Sequence, residues 1–245
     1  MSIIQSTAKS GATEFYDYPI ENSLRFDGSS YLSKQWNQAY TSQTITYSLW
    51  VKFSDLSATN TVLWAGTSSS DSTNDDGFDF YQNKARIFTN SGNGSIGSST
   101  ALFRDTSSWY HFVMTADSTN GFRIYVNGGT SPINTVGGFT NHNFNTNSSY
   151  AHIGAQGSSA SFKGYLANIQ FIDGQALDPY FFGEFKDNIW VPYNAFSTAG
   201  SGTATASDGD TATDNYGTNG FHLTFSNASD LGEDSSGNNN DWTVN

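Results

Sequence analysis

The chain has 245 residues, 22 acidic against 10 basic side chains, a formal charge of −12, and only 13% charged residues in all. The ten Lys and Arg are scattered singly, which argues against a nucleic-acid backbone or an anionic membrane surface as partner, and no apolar run approaches the roughly 20 residues that span a bilayer. Cysteine is absent, which excludes disulfides, thiol catalysis and a cysteine zinc site, while 19 Phe, 13 Tyr and 6 Trp mark a chain that folds.

Residues 1–20 are polar and weakly patterned and read as a tail or docking segment. The N-terminus has no basic region and no apolar core of the kind a signal peptide carries, so the expectation is a product made in the cytoplasm. The first strand signal is Ser23-Leu24-Arg25-Phe26, followed by the turn Asp27-Gly28-Ser29-Ser30. From Gln43 to Phe53 the chain alternates strictly. Ile45, Tyr47, Leu49, Val51 and Phe53 share one face, and Thr44, Thr46, Ser48, Trp50 and Lys52 share the other. A period of two sustained over five pairs is a strand with one face in the core, because a helix would scatter those five apolar groups around its surface.

A second strand is expected at Thr61 to Ala65, then an exposed Ser/Asp/Asn/Thr loop from Gly66 to Gly77. Phe78 to Tyr81 and Ala85 to Thr89 form a hairpin, with another loop from Asn90 to Ser99. Trp109 to Ala116 and Gly121 to Val126 are the next pair, and Asn127-Gly128 after them favours positive φ and a tight reversal. Tyr150 to Gly154 and Phe162 to Ile172 add two strands, and Ala176 to Phe182 is the one helical turn. Ser197 to Gly217 has almost no large apolar group and reads as an excursion from the core, before Asn219 to Phe225 restores alternation. Ten or more short strands with almost no helix give an all-β fold, a two-sheet antiparallel jelly-roll sandwich.

The strand Trp109-Tyr110-His111-Phe112, the strand ending Tyr125-Val126-Asn127-Gly128, and the closing element Gly164-Tyr165-Leu166-Ala167-Asn168-Ile169-Gln170-Phe171 with Leu177 after it resemble laminin-G-like members of the concanavalin A-like lectin/glucanase superfamily. The likeness runs from Leu24 to Leu177. It implies a jelly-roll core over 21–182, with 183–245 as a C-terminal extension whose strands pack on the same domain. Trp190-Val191-Pro192, Gly217-Thr218-Asn219-Gly220-Phe221 and Asp234-Ser235-Ser236-Gly237-Asn238 further resemble modules in virion proteins of marine tailed bacteriophages. That likeness implies a protein of the virion surface, made in the host cytoplasm, with other virion proteins as partners. Bare edge strands favour a homo-oligomer, for which a trimer would suit either a fibre or a capsid threefold axis.

A glycosidase needs two carboxylates flanking the scissile bond. The four Glu, at 14, 21, 184 and 233, do not begin the Glu-x-Asp-x-x-Glu strand that the superfamily's catalytic members carry, and no Ser stands in a Gly-x-Ser-x-Gly elbow. The chain therefore reads as non-enzymatic. The resemblance makes His111 a structural position.

Sugar recognition needs an aromatic face with polar groups around it. Tyr81, Asn90, Asn93, Asn141, His142, Asn143, Phe144 and Asn145 furnish these if the fold joins their loops, although each also fits a solvent-facing turn. Trp36 and Tyr40 lie in a polar segment and suit a subunit interface. Calcium, which takes six to eight oxygens from a curling loop, has candidates in Asp71, Asn74, Asp75, Asp76 and Asp79, and again in Asp208, Asp210 and Asp214. The alternative for both sets is a solvated acidic loop. No other cofactor is implied. Three functions stay open: a virion structural or decorating subunit, a glycan- or receptor-binding module of a tail fibre, and a glycoside hydrolase.

Overall fold

The computed structural model describes residues 16–38, 43–56, 59–69, 74–89, 95–137, 142–157, 159–197 and 202–245. Its strands, in chain order, begin with β1 (Leu24–Asp27), β2 (Leu32–Gln35), β3 (Ile45–Phe53), β4 (Asn60–Gly66), β5 (Asp75–Tyr81), β6 (Lys84–Thr89) and β7 (Ser95–Ser98). The middle of the chain supplies β8 (Tyr110–Asp117), β9 (Gly121–Val126), β10 (Asn134–Val136), β11 (Tyr150–Ile153), β12 (Ala155–Gln156), β13 (Ser159–Ala160) and β14 (Lys163–Asp173). A 3-10 turn at Pro179–Phe181 precedes β15 (Gly183–Lys186), β16 (Ile189–Pro192), β17 (Thr203–Thr205), β18 (Thr211–Thr213), β19 (Phe221–Leu223) and β20 (Thr243–Val244).

Two seven-stranded antiparallel sheets form the sandwich. The first runs β1-β14-β3-β8-β9-β10, with β19 also on β14, and the second runs β20-β2-β11-β4-β5-β6-β7. This is the all-β antiparallel jelly roll that the alternation implies. The turns follow from local chemistry. Gln82 and Asn83 both take positive φ between β5 and β6, as a two-residue hairpin requires, and Asn127 and Gly128 do the same after β9. Inward residues of the two sheets meet through rings, with Phe53 4.6 Å from Phe80 and Phe112 5.1 Å from Phe80.

The outward face of β3 is covered as well. Thr46, Ser48 and Trp50 are buried because the chain after β14 folds back over the first sheet. Thr46 Oγ1 donates to Gln175 O at 2.7 Å and accepts from Leu177 N at 2.9 Å. A second apolar cluster joins Val113, Tyr125 and Ile172 of the sheet to Leu177, Phe181, Phe182, Phe196, Ala204, Ala206 and Tyr216. Burying a large apolar side chain stabilises by about 1.5–3 kcal/mol, so Ala204, Ala206 and Tyr216, in the stretch expected to leave the core, belong to it. Trp190 lies flat on Gly128 and Gly183, where an added Cβ would sit 2.3 and 2.1 Å from the indole, and it stacks on His111.

Three further expectations are corrected. The loop expected over 66–77 ends early: Asp75, Asp76 and Gly77 pair with β4 and are buried. The loop expected over 90–99 contains β7, paired to β6. Trp36, expected at an interface, is 1% exposed and packs against Phe171, Phe221 and Trp242, because both sheets and the C-terminal segment converge on it. Tyr40, the other interface candidate, lies outside the described residues.

Two outcomes check this packing. Trp36→Ala should lower unfolding free energy by about 3–5 kcal/mol in urea titration; an unchanged midpoint would contradict the core placement. A chain ending at residue 182 loses β19, β20 and the part of the cover that Trp190, Phe196 and Tyr216 supply, and should show no cooperative thermal transition by circular dichroism.

Candidate functional site

The loop expected to read sugar is interior. His142, Asn143, Phe144 and Asn145 are at most 3% exposed. His142 Nε2 donates to Gln43 O at 2.9 Å, and Asn143 N donates to Asp76 Oδ2 at 2.7 Å. Phe144 packs on Tyr47 and Phe122, and Asn145 Nδ2 donates to Asp173 Oδ1 at 2.8 Å. These side chains bond to one another's loops and present nothing to a ligand. Tyr81 is exposed, but it stands at the far end of β5 from Asp76, five residues or roughly 16 Å along an extended strand. Arg86 stacks on its ring at 4.6 Å. Asn90, Asn93 and Asn141 lie outside the described residues.

The first calcium set does not converge either. Strand alternation sends Asp76 inward and Asp75 and Asp79 outward. Asp75 Oδ2 accepts from Trp64 Nε1 at 2.8 Å and from Gln156 Nε2 at 3.3 Å. Asp79 forms an ion pair with Arg86, which opposes the upward push that burial gives its carboxyl. Asn74 is exposed, its backbone oxygen accepts from Asn143 Nδ2, and Asp71 lies outside the described residues. In the second set, Asp208 and Asp210 meet Asp178, with one carboxylate oxygen of each within 4.8 Å of the others. Asp214 is elsewhere, accepting from Ser197 N and Oγ. Burial, together with Asp208 and Asp210, pushes the Asp178 carboxyl up. Three acids fall short of the six to eight oxygens that calcium takes.

One pair has the look of nucleophile chemistry. Ser48 Oγ lies 2.9 Å from His111 Nε2. Trp190 Nε1, which can only donate, reaches His111 Nδ1 at 3.0 Å. That bond makes Nδ1 the acceptor and leaves the proton of the neutral ring on Nε2, facing Ser48. The imidazole therefore has no lone pair with which to take the serine proton. Burial pushes His111 down to about 3, and does the same to His142 and His222, each to about 4. All three are packing groups held neutral.

A groove of about 300 Å³ opens on the outward face of the second sheet. Register puts His152 between Ser33 of β2 and Trp64 of β4, and Tyr150 between Gln35 and Gly66. The His152 ring stacks on Trp64 at 4.9 Å and 24°, and Tyr31 lies over it at 5.2 Å. Burial pushes the His152 imidazole down, opposed by a backbone bond to Gly157, and its Nδ1 is buried without a hydrogen-bond partner among the described residues. The wall comes from the last strand. Thr243 pairs with Ser33, and Asn245 Nδ2 donates to Ser33 Oγ at 2.8 Å. Lys34, between Ser33 and Gln35, points to the opposite face of β2, where its Nζ lies over Trp36 and donates to Asp241 O at 3.1 Å. Rings, hydroxyls and an amide thus meet on one floor.

Of the expected sugar residues that are described, Tyr81, His142, Asn143, Phe144 and Asn145, none belongs to this groove. Its signal in the sequence was the outward alternation Ser33-x-Gln35 and Tyr150-x-His152. A second hollow of about 530 Å³ on the rim, near Gly174, Gln175, Thr213 and Asn238, has no aromatic lining. Asp173, its one charged group among the described residues, already accepts from Asn145 and Asn219.

The family model described as concanavalin A-like lectin/glucanases superfamily, of laminin G type, matches residues 26–179. The chain belongs to that superfamily and has its laminin-G-like, lectin-like fold. Among solved structures, the heptameric SAP-like pentraxin from Limulus polyphemus is 18% identical with a TM-score of 0.49, over 63% of this chain and 76% of that one. Domain 4 of AbnA, a GH43 extracellular arabinanase from Geobacillus stearothermophilus, is 17% identical with a TM-score of 0.49, over 67% and 76%. Domains LG4-5 of the mouse laminin alpha1 chain are 13% identical with a TM-score of 0.49, over 64% and 43%. No curated protein matches the sequence.

The buried histidines set the acid limit of the fold. Each titrates lower folded than its ordinary value near 6.5, so the unfolded chain takes up protons that the folded chain refuses. Their stabilisation is complete above pH 6.5 and drains as pH falls toward 4, at about 1.4 kcal/mol per pH unit for each histidine. The urea midpoint should fall steadily between pH 7 and pH 5; a flat profile would contradict their burial as neutral rings.

Proposed function

We propose that this lectin-fold chain is a non-catalytic recognition module that binds a sugar in the groove on β2 and β11, and that it serves on the surface of a tailed-phage particle. The observation that carries the binding reading is the convergence of Tyr31 and Tyr150 with Ser33, Gln35 and Thr243 on one floor. Aromatic rings cover the apolar face of a sugar, and the polar groups around them take its hydroxyls. Support for a non-catalytic role is local too. Among the described residues no Asp or Glu lines the groove, whereas glycoside hydrolysis calls for two carboxylates, and the Ser48 and His111 pair is buried in the wrong tautomer for attack.

A role in assembly is the second reading, and a specific feature favours it. The β15–β16 hairpin pairs only with itself among the described strands, and it carries Phe185 and Ile189, 50% and 55% exposed. Exposed apolar groups of this size suit contact with other virion proteins or with further copies of the chain.

A bacterial polysaccharide array tests the first reading. Binding should appear for at least one glycan, should fall at least tenfold in Tyr150→Ala, and should survive in Tyr81→Ala. Binding unaffected by Tyr150→Ala would move the site elsewhere, and release of shortened sugar from a bound glycan would restore the hydrolase. Mass spectrometry of purified particles from a phage encoding this chain should detect it among the virion proteins; its absence there would remove the particle role.

A further inference from the structure

The β15–β16 hairpin has two edges, and they differ. Asp187 and Asn188 both take positive φ, so the hairpin turns on two residues, and Lys186 and Ile189 on either side of them exchange both backbone bonds. Alternation along the ladder then points the N–H and C=O of Phe185 away from its cross-strand partner Trp190 and out of the hairpin. Among the described residues no group bonds to either. The same alternation turns out the C=O of Gly183, which is taken by Ser207 Oγ at 2.6 Å. The opposite edge is blunted, because Pro192 has no N–H to present there. Glu184 to Lys186 is therefore a short open edge.

We infer that this edge pairs with the same edge of a second copy of the chain, antiparallel and centred on Phe185. The inference rests on the reading of the hairpin as an assembly surface and names the partner. Glu184-Phe185-Lys186 is complementary to itself when one copy runs against the other. The outward N–H and C=O of Phe185 meet those of the partner's Phe185, Glu184 stands opposite the partner's Lys186, and Lys186 stands opposite the partner's Glu184. Opposite charges facing across a ladder stabilise it, and like charges destabilise it. A slip of the register by two residues either way sets Glu184 on Glu184 or Lys186 on Lys186, so charge selects the centred register.

The rings and charges around the edge fit the same arrangement. Phe185 is half exposed and lies 4.9 Å from Trp190 and 6.4 Å from Tyr180, and the pairing lays the two Phe185 rings side by side across the twofold axis, extending each aromatic row into the other. Within one chain Lys186 already faces Glu184 at 3.3 Å and Asp17 at 2.6 Å, so the paired edges interleave carboxylates and ammoniums. A contact of this isologous kind closes at two copies. Its three-residue edge is far smaller than a standard protein interface, so the pair is weak in dilute solution and gains where copies are held close together, as on a particle surface.

The test is sedimentation of the full chain from about 1 to 500 µM, where the mass should rise from that of one copy toward that of two. Glu184→Lys and Lys186→Glu each set like charges opposite one another, and each, with its fold checked by circular dichroism, should weaken self-association at least tenfold. Mixed together, the two variants should pair with each other about as tightly as the parent chain pairs with itself, because opposite charges face again. A dimer unchanged in both variants, or no recovery on mixing them, would overturn the assignment to this edge. A trimer would overturn the closed pair. A chain that stays monomeric at every concentration would overturn the pairing, and particle incorporation of a variant carrying Phe185→Ser and Ile189→Ser then separates the two readings. Loss of that variant from particles would leave the hairpin as a contact for a different virion protein. Its normal incorporation would overturn the assembly reading as well.

Discussion

The pairing of β14 is the constraint on which the rest of the molecule depends. One edge lies on β3 along nearly its whole length, and the other is shared between the two ends of the chain, β1 on Lys163 to Leu166 and β19 on Ile169 to Phe171. The register shift on β14 falls between these halves, at Ala167 to Gln170, with Asn168 at φ 47°. Asn168 Oδ1 then receives Tyr18 from the N-terminal side and His222 from the C-terminal side. A strand held in this way ties the final sixty residues to the sandwich as firmly as its own hairpins are tied.

Two consequences follow for function. The returning segment covers the outward face of the first sheet through Leu177, Phe181, Phe182 and Trp190, so that face has no room for a ligand. The same segment ends as β20 on the edge of β2, where Thr243 lines the groove on the second sheet and Asn245 bonds to Ser33. The C-terminal extension thus closes one face and completes the other, which is why the groove lies over β2 and β11.

Much of the scaffold was legible in the sequence because its signals are local. The alternation from Ile45 to Phe53, the Asn127-Gly128 reversal and the long strand before Gly174 each depend on neighbours a few residues away. The groove was not legible in the same way. Ser33-x-Gln35 and Tyr150-x-His152 do alternate outward, but their meeting depends on pairing across more than a hundred residues, and no pattern within either strand specifies that register. β7 was hidden for another reason: Ser95-Ile96-Gly97-Ser98 has the composition of a turn and becomes a strand only by pairing with β6.

The misplaced sugar loop shows what this polar composition does. Asn, Asp and Ser favour loops because they satisfy backbone groups nearby, and Asp27, Asp105 and Asp117 do so here with the residues two and three ahead. Asn145, Asp173 and Asn219 have the same chemistry and the opposite placement: Asn145 donates to Asp173, Asp173 accepts from Asn219, and Asn219 donates back to Asn145 O, all buried. Asp234 likewise accepts from His222 N and Asn240 N. In a buried setting each such bond is costly to leave unmade, so these side chains fix the loops between strands and are unavailable to a ligand. Composition cannot separate the two placements, because the residue types are the same and only the distant partner differs. The recognition proposed for this chain therefore falls to side chains standing outward from strands already held in register, and Tyr150 and His152 on β11 are placed in that way.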